Sequence, residues 1–181
     1  MVLPFFPDKK DQPKASSGRP GSLVKPKKVA ISDILGEDLI LQAPDGADKD
    51  RLLELLVTRL CAARCIGSPQ AVLAKVLERE QGISTTLDTG LSLPHARLDP
   101  LRSIVAALAL APRGVADPKA GDLTIRLMFL FFSPAQAEFL PLHLQLLRGV
   151  ASLFQPQFIA ELAAAPSPAA ALELIRRTES R

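Results

Sequence analysis

The sequence predicts an α/β fold, a small mixed β-sheet sandwiched between helices in a single domain with a disordered N-terminal tail. Three observations carry that expectation. Ser103 to Leu110 and Leu123 to Phe132 are near-continuous apolar runs, the pattern of strands covered on both faces. The connection between them is punctuated by Pro112, Gly114, Pro118 and Gly121 and has no helical period, which favours antiparallel pairing over a crossover. On either side, apolar residues recur at helical spacing behind Asp, Ser and Pro start signals.

Taken in order, residues 1–28 are rich in Pro, Lys, Ser and Gly, with too little apolar surface to bury, and read as a disordered basic tail. The folded domain is expected over residues 29–181. Ala30 to Leu35 is its short opening segment, and Leu39-Ile40-Leu41 reads as a short strand. Asp48 has the character of an N-cap, followed by Leu52, Leu56 and Leu60 at helical spacing through Cys65, with Gly67 as the stop. Ser68-Pro69 starts a second helix, with Val72, Leu73, Val76 and Leu77 as its stripe and an end near Gly82. A polar stretch, Ser84 to Gly90, leads into Leu91-Ser92-Leu93, a short strand whose ladder Pro94 is expected to end. After the two apolar runs, Ser133-Pro134 repeats the cap-plus-proline signal, and the helix behind it is expected to bury Leu140, Leu144, Leu147, Ala151 and Phe154. Gln157 to Ala164 makes a short helix, and Ser167-Pro168 opens the last, with Leu172 and Ile175 inward.

Composition excludes several functions. The longest apolar runs fall far short of the ~20 residues a membrane span needs, and the first residues do not form a secretory signal, so a cytoplasmic protein without membrane insertion is expected. The net charge of +3 is a property of the tail, where Lys9, Lys10, Lys14, Arg19, Lys25, Lys27 and Lys28 stand against Asp8 and Asp11; the remainder is slightly acidic. Eight Phe with no Trp or Tyr offer few stacking platforms, against nucleic-acid binding. Cys61 and Cys65, spaced i, i+4 on one helix, read as small buried hydrophobes rather than a metal or redox pair. With two histidines and no dense carboxylate cluster, a metal-dependent hydrolase has too few ligands, and no metal or cofactor is expected.

Those two histidines, His95 and His143, are the residues best placed for chemistry. His95 follows a proline directly after a short apolar strand, where strand becomes loop, and α/β folds put functional groups at such strand ends. His143 lies on a strongly apolar helix beside its main stripe. Taken singly, a histidine in either setting is more often a hydrogen-bonded structural residue than a functional one.

The order of the pieces decides more. Leu77-Glu78-Arg79-Glu80-Gln81, Ser84-Thr85-Thr86, Gly90-Leu91-Ser92-Leu93-Pro94-His95-Ala96, the run Arg126 to Pro134, and Leu140-Pro141-Leu142-His143-Leu144-Gln145-Leu146-Leu147 follow one another. This arrangement resembles the enzyme IIA family of the bacterial phosphotransferase system, of the fructose, mannitol and nitrogen-regulatory type (EIIA type 2), over roughly residues 30–178. In that family an R-E pair closes a helix, a T-T pair follows, and G-I-A-I-P-H presents the phosphorylated histidine. A hydrophobic strand ending in proline comes next, then H-L within a helix.

The resemblance implies a phosphotransferase component working through a phosphohistidine. His95 then matches the phosphoacceptor, His143 the second histidine, Arg79 the arginine closing the helix, and Thr85 and Thr86 the pair that could donate to phosphate. Arg97, two residues past His95, is a further candidate for phosphate contact or for steering the partner. The implied donor is a phospho-HPr-type carrier, and the implied recipient a sugar-specific IIB component or a regulatory target. The free-standing arrangement leans toward the regulatory role. One departure stands out. The family's loop before the strand is glycine-rich, and Asp88 occupies a glycine place, which is costly if the loop needs positive φ there. Asp88 and the basic tail motivate the alternative, a regulatory binding module that keeps the fold and ignores phosphate.

Overall fold

The computed structural model describes residues 29–81 and 84–180, and the tail reading of residues 1–28 lies outside them. The sheet grows from the two apolar runs. They form β4 (Val105–Ala116) and β5 (Thr124–Pro134), antiparallel, with Val105 opposite Phe132 and Leu110 opposite Leu127. Ala106 to Leu110 and Leu127 to Phe132 are all fully buried. Consecutive buried residues point to opposite faces of a strand, so helices must cover both sides of this sheet.

Around that hairpin the sheet is mixed. β1 (Ile40–Gln42) lies parallel to β4, while β2 (Leu91–Ser92) and β3 (His95–Leu98) lie parallel to β5. The order is β1-β4-β5-β2, with β3 also on β5. Leu91 pairs with Leu127 and His95 with Phe131, one continuous register, so β2 and β3 are a single edge strand interrupted at Leu93-Pro94. Pro94 therefore interrupts the ladder without ending it: it lacks an N–H, but its carbonyl accepts from Phe131 N at 3.3 Å. His95 opens the resumed strand, a correction to its expected place in the following loop.

The described residues contain six helices: α1 (Ile31–Ile34), α2 (Lys49–Arg64), α3 (Pro69–Glu80), α4 (Leu140–Leu153), α5 (Pro156–Ala163) and α6 (Pro168–Glu179). Asp48 caps α2, accepting from Arg51 N at 2.7 Å, and Ser167 caps α6, accepting from Ala170 N at 3.2 Å. The stripe of α2 is buried as expected through Leu52, Leu56 and Leu60. Cys61 is buried, but Cys65 is exposed: it takes the left-handed C-cap position of α2 at φ 53°, so only one of the pair is a core residue. None of these helices is long and apolar enough to cross a membrane.

The stripe of α4 is the clearest correction. Ser133-Pro134 does not cap a helix; it ends β5, and a 3-10 turn at Ala137–Phe139 intervenes before α4. The later start turns the helix, so His143, Leu146 and Val150 are buried while Leu140 and Leu144 are 41% and 56% exposed.

Candidate active site

The site is assembled at the β3 edge, on the sheet face shared by Phe129, Phe131 and Ser133, alternate residues of β5. Phe131 is the floor. Its ring is stacked on His95 at 5.3 Å with planes 8° apart, and it lies 5.3 Å from the ring of His143. The imidazoles of His95 and His143 are 5.5 Å apart. The fold thus brings together the two histidines that lie 48 positions apart in the sequence.

The interruption at Leu93-Pro94 gives His95 its partner. Both polar groups of Leu93 face away from β5: its N–H donates to Thr85 O at 3.1 Å, and its carbonyl lies 2.9 Å from His95 Nδ1. A carbonyl only accepts, so His95 Nδ1 carries a proton and, in the neutral ring, Nε2 carries the lone pair. Burial pushes the pKa of His95 below its ordinary 6.5, with the Arg79 cation acting in the same direction and the Leu93 bond opposing both. At neutral pH the ring is uncharged.

His143 is almost fully buried, and Ser133 Oγ lies 2.7 Å from its Nδ1. Burial first, then the nearby His95, Arg97 and Arg79, lower its pKa to about 4. Ser133 is fully buried, and among the described residues its hydroxyl has no other acceptor. Its proton therefore goes to His143 Nδ1, because an unsatisfied buried donor costs about 1–3 kcal/mol. The His143 proton then sits on Nε2 as a donor.

The other sequence candidates separate. Arg79, in the last turn of α3, is exposed, and among the described residues it makes no ion pair or hydrogen bond, yet its charge reaches both rings. Arg97 is half-buried and donates to Pro134 O at 3.4 Å and to Ala135 O and Gln136 O at 2.8 Å, tying β3 to the segment that leads into α4. The threonine hydroxyls are turned toward carboxylates: Thr85 Oγ1 donates to Glu80, and Thr86 Oγ1 to Asp117 at 2.5 Å. A hydroxyl has one proton, and here each is engaged, so among these candidates open donors remain on Arg79 and on Nη1 of Arg97.

Asp88 is harmless where it stands. It is exposed in a turn closed by Gly90 N→Leu87 O at 3.0 Å, and Cys65 is the only non-glycine with positive φ among the described residues. Gly90 takes the strained position, at φ 85°; a Cβ there would meet Thr124 O at 3.3 Å, and its carbonyl receives Arg126 N at 2.8 Å.

Sequence reasoning missed a buried charged cluster under this loop. Lys49 Nζ lies 2.8 Å from both Glu80 and Asp117, and Ser84 Oγ donates to Asp117 at 2.7 Å. Lys49 is 5% exposed, Glu80 3% and Asp117 0%. Burial opposes the Lys49 charge, but hydrogen bonds to Asp117 and Glu80 outweigh it and raise its pKa. Burial likewise opposes the Asp117 charge, and bonds from Lys49, Thr86 and Ser84 nevertheless hold its carboxyl well below the usual carboxylate range. Two of the three residues had a signal in spacing: Glu80 continues the Val72, Val76 stripe at i+4, and Lys49 precedes Leu52, Leu53 and Leu56 on theirs. Among the described residues no group of three or more His, Cys, Asp or Glu is arranged to hold a metal.

Residues 33–178 match the family described as "Phosphoenolpyruvate-dependent sugar phosphotransferase system, EIIA 2". The chain belongs to this family. Among curated relatives, the EIIA chain is 29% identical over 105 residues to the PTS system fructose-specific EIIA component of Haloferax volcanii, covering 58% of this chain and 68% of that one. It is also 29% identical over 134 residues to a nitrogen regulatory protein of Bradyrhizobium diazoefficiens, covering 72% and 84%. Its fold is that of the nitrogen regulatory protein IIA-Ntr from Neisseria meningitidis, at a TM-score of 0.70 and 23% identity, over 80% of this chain and 98% of that one. Membership gives this EIIA chain a phosphocarrier role within a phosphotransferase system.

Proposed function

We propose that the protein accepts a phosphoryl group from a phospho-HPr-type carrier on His95 Nε2. It then passes the group to a sugar-specific IIB component or uses it to switch binding of a regulatory partner. The observation that carries this reading is the bond from His95 Nδ1 to Leu93 O. With Nδ1 holding the proton, and burial keeping the ring neutral, Nε2 is a nucleophile at physiological pH. The Nε2 lone pair attacks phosphorus as the bond from phosphorus to the donor's imidazole nitrogen breaks, and that nitrogen leaves with the electron pair. No proton has to move on His95, so its bond to Leu93 persists through the step.

Charge stabilisation falls to groups already in place. Arg79 supplies open charge-assisted donors at the solvent side. His143, neutral and donating from Nε2, supplies a hydrogen bond that remains available well into acid. Arg97 fixes the approach of α4 to β3 and adds positive potential. Leu140 and Leu144, one turn apart and exposed on α4, give a protein partner an apolar surface on the helix that carries His143. Of the two motives for the phosphate-independent module, Asp88 neither strains the loop nor takes a positive φ, and the basic tail lies outside the described residues.

The test is mass spectrometry after incubation with enzyme I, HPr and phosphoenolpyruvate. One acid-labile gain of about 80 Da, the mass of one phosphoryl group, is expected on the wild type and absent from His95→Ala. A folded wild type that gains nothing overturns the carrier reading, and partner binding that survives His95→Ala regardless of HPr phosphate establishes the module instead.

A further inference from the structure

We propose that Lys49, Glu80 and Asp117 are positioning residues that hold His95 in its Nδ1–H tautomer through the Thr85-Thr86 loop. None of the three touches the reacting ring. The path between them is nevertheless continuous. Lys49 Nζ binds both carboxylates at 2.8 Å; Glu80 accepts the Thr85 hydroxyl, and Asp117 accepts those of Ser84 and Thr86. The backbone between these side chains is thereby pinned, and Thr85 O receives Leu93 N–H at 3.1 Å. The carbonyl of the same residue, Leu93, receives His95 Nδ1–H at 2.9 Å.

On the outer edge of β2 the loop supplies a short antiparallel pairing, Leu87 N–H to Leu91 O at 2.8 Å and Leu93 N–H to Thr85 O, and the Leu93 carbonyl lies just past its last bond, so the Thr85 contact is the anchor nearest to it. Pro94 removes the neighbouring ladder donor, which leaves the Leu93 peptide dependent on its Thr85 bond. Loss of the threonine tethers frees Thr85 to move, and the Leu93 carbonyl moves with it. A neutral imidazole without that acceptor places its proton mainly on Nε2, which is the nitrogen that must carry the lone pair. A buried salt bridge is weak evidence for stability and in some proteins imposes specificity instead; here the specificity is which ring nitrogen is bare. The consequence for transfer rests on the phosphocarrier reading, whereas the tautomer itself does not.

The test uses the full chain, with 15N NMR of the histidine ring nitrogens at pH 7.5 and phosphoryl-transfer rates measured in parallel. Wild type should show His95 protonated on Nδ1. In Thr85→Val/Thr86→Val, which keeps both side-chain shapes, the His95 signals should shift toward the Nε2–H form while those of His143 stay in place. Transfer should slow about tenfold, the scale seen when a group orienting a functional histidine is lost, with KM for phospho-HPr unchanged. Thr85→Ser/Thr86→Ser should restore both readouts. Asp117→Asn should give the same shift, and if it unfolds the valine pair carries the test. A folded valine pair with wild-type ring signals overturns the proposal. If the ring signals shift but wild type itself takes up no phosphate, the positioning role stands and the carrier reading falls.

Discussion

Two buried polar regions meet at the loop from Ser84 to Leu93, and they are built on opposite rules. On the α2–α3 side, Lys49 is ion-paired with Glu80 and Asp117, and each of the three groups has close partners. On the β5–α4 side, His95 and His143 are neutral, and each has one nitrogen bonded and one free of protein partners among the described residues. Charge that is completely satisfied gives rigidity, because any displacement exposes an uncompensated ion to low dielectric. Neutral groups with one open valence give reactivity, because the open position is where a ligand atom fits. The two regions divide the labour: one cannot change its bonds, so the other can.

Breaking the charged side should have the largest effect. Lys49→Met leaves two carboxylates in the interior without a cation, and should cost about 3–5 kcal/mol of stability, read from urea denaturation. Changing the carboxylates as well, in Lys49→Met/Glu80→Gln/Asp117→Asn, should recover a large part of that loss. His95→Gln, at a half-exposed position, should stay within about 1 kcal/mol of wild type. Equal losses for Lys49→Met and His95→Gln would erase the distinction between the two regions.

The same contrast explains what the sequence could and could not reveal. The strand pair was legible because Ala106 to Leu110 and Leu127 to Phe132 are apolar on both faces, and the caps at Asp48 and Ser167 were legible because capping is local. His95 was legible through its neighbours, Pro94 above all. The face of α4 was not, because Leu140 and Leu144 are as apolar as Leu146 and Val150; only the 3-10 turn at Ala137–Phe139, a tertiary outcome, sets the rotation. Ser133 mimicked a helix cap and is instead the partner of His143. Asp117, in a Pro- and Gly-punctuated connection, looked like any turn residue; its role exists only because that connection folds back over α2 and α3. Thr85 and Thr86 stand out in the sequence as a pair, but their hydroxyls face carboxylates, a direction no spacing encodes.

A smaller effect sharpens the neutral side through pH. The unfolded chain binds a proton at His143 near pH 6.5, and the folded chain refuses it until about 4. Between those values the unfolded state holds more protons, so stability rises with pH and falls as the solution is acidified. The full window is worth ~3 kcal/mol, and His95, also lowered, adds in the same direction. Asp117 contributes in a separate window, since its depressed pKa gives stability that is lost only below the ordinary carboxylate range. Urea melts from pH 7.5 to 4.5 should therefore lose much of their slope against pH in His143→Asn, whatever that variant's absolute stability. An unchanged slope would mean that His143 takes its proton as readily folded as unfolded.

The smallest expected change in structure is at Arg79, where the phosphoryl group would add the partner the protein lacks. An exposed side chain at the end of α3 without bonds among the described residues should contribute nothing measurable to folding, so Arg79→Gln should melt like wild type. Its guanidinium would act only when a phosphoryl group arrives, and one charge-assisted hydrogen bond that strengthens in the transition state is worth about 1.5–3 kcal/mol, so transfer should slow by roughly ten- to a hundredfold. The acid limb of the rate profile discriminates further. Because the Arg79 cation helps to hold the His95 pKa down, Arg79→Gln should move that limb toward higher pH, closer to 6.5. A variant that transfers slowly with an unmoved limb would confine Arg79 to the phosphate. A variant that transfers at the wild-type rate would return it to the solvated surface and leave His143 as the donor on which stabilisation depends.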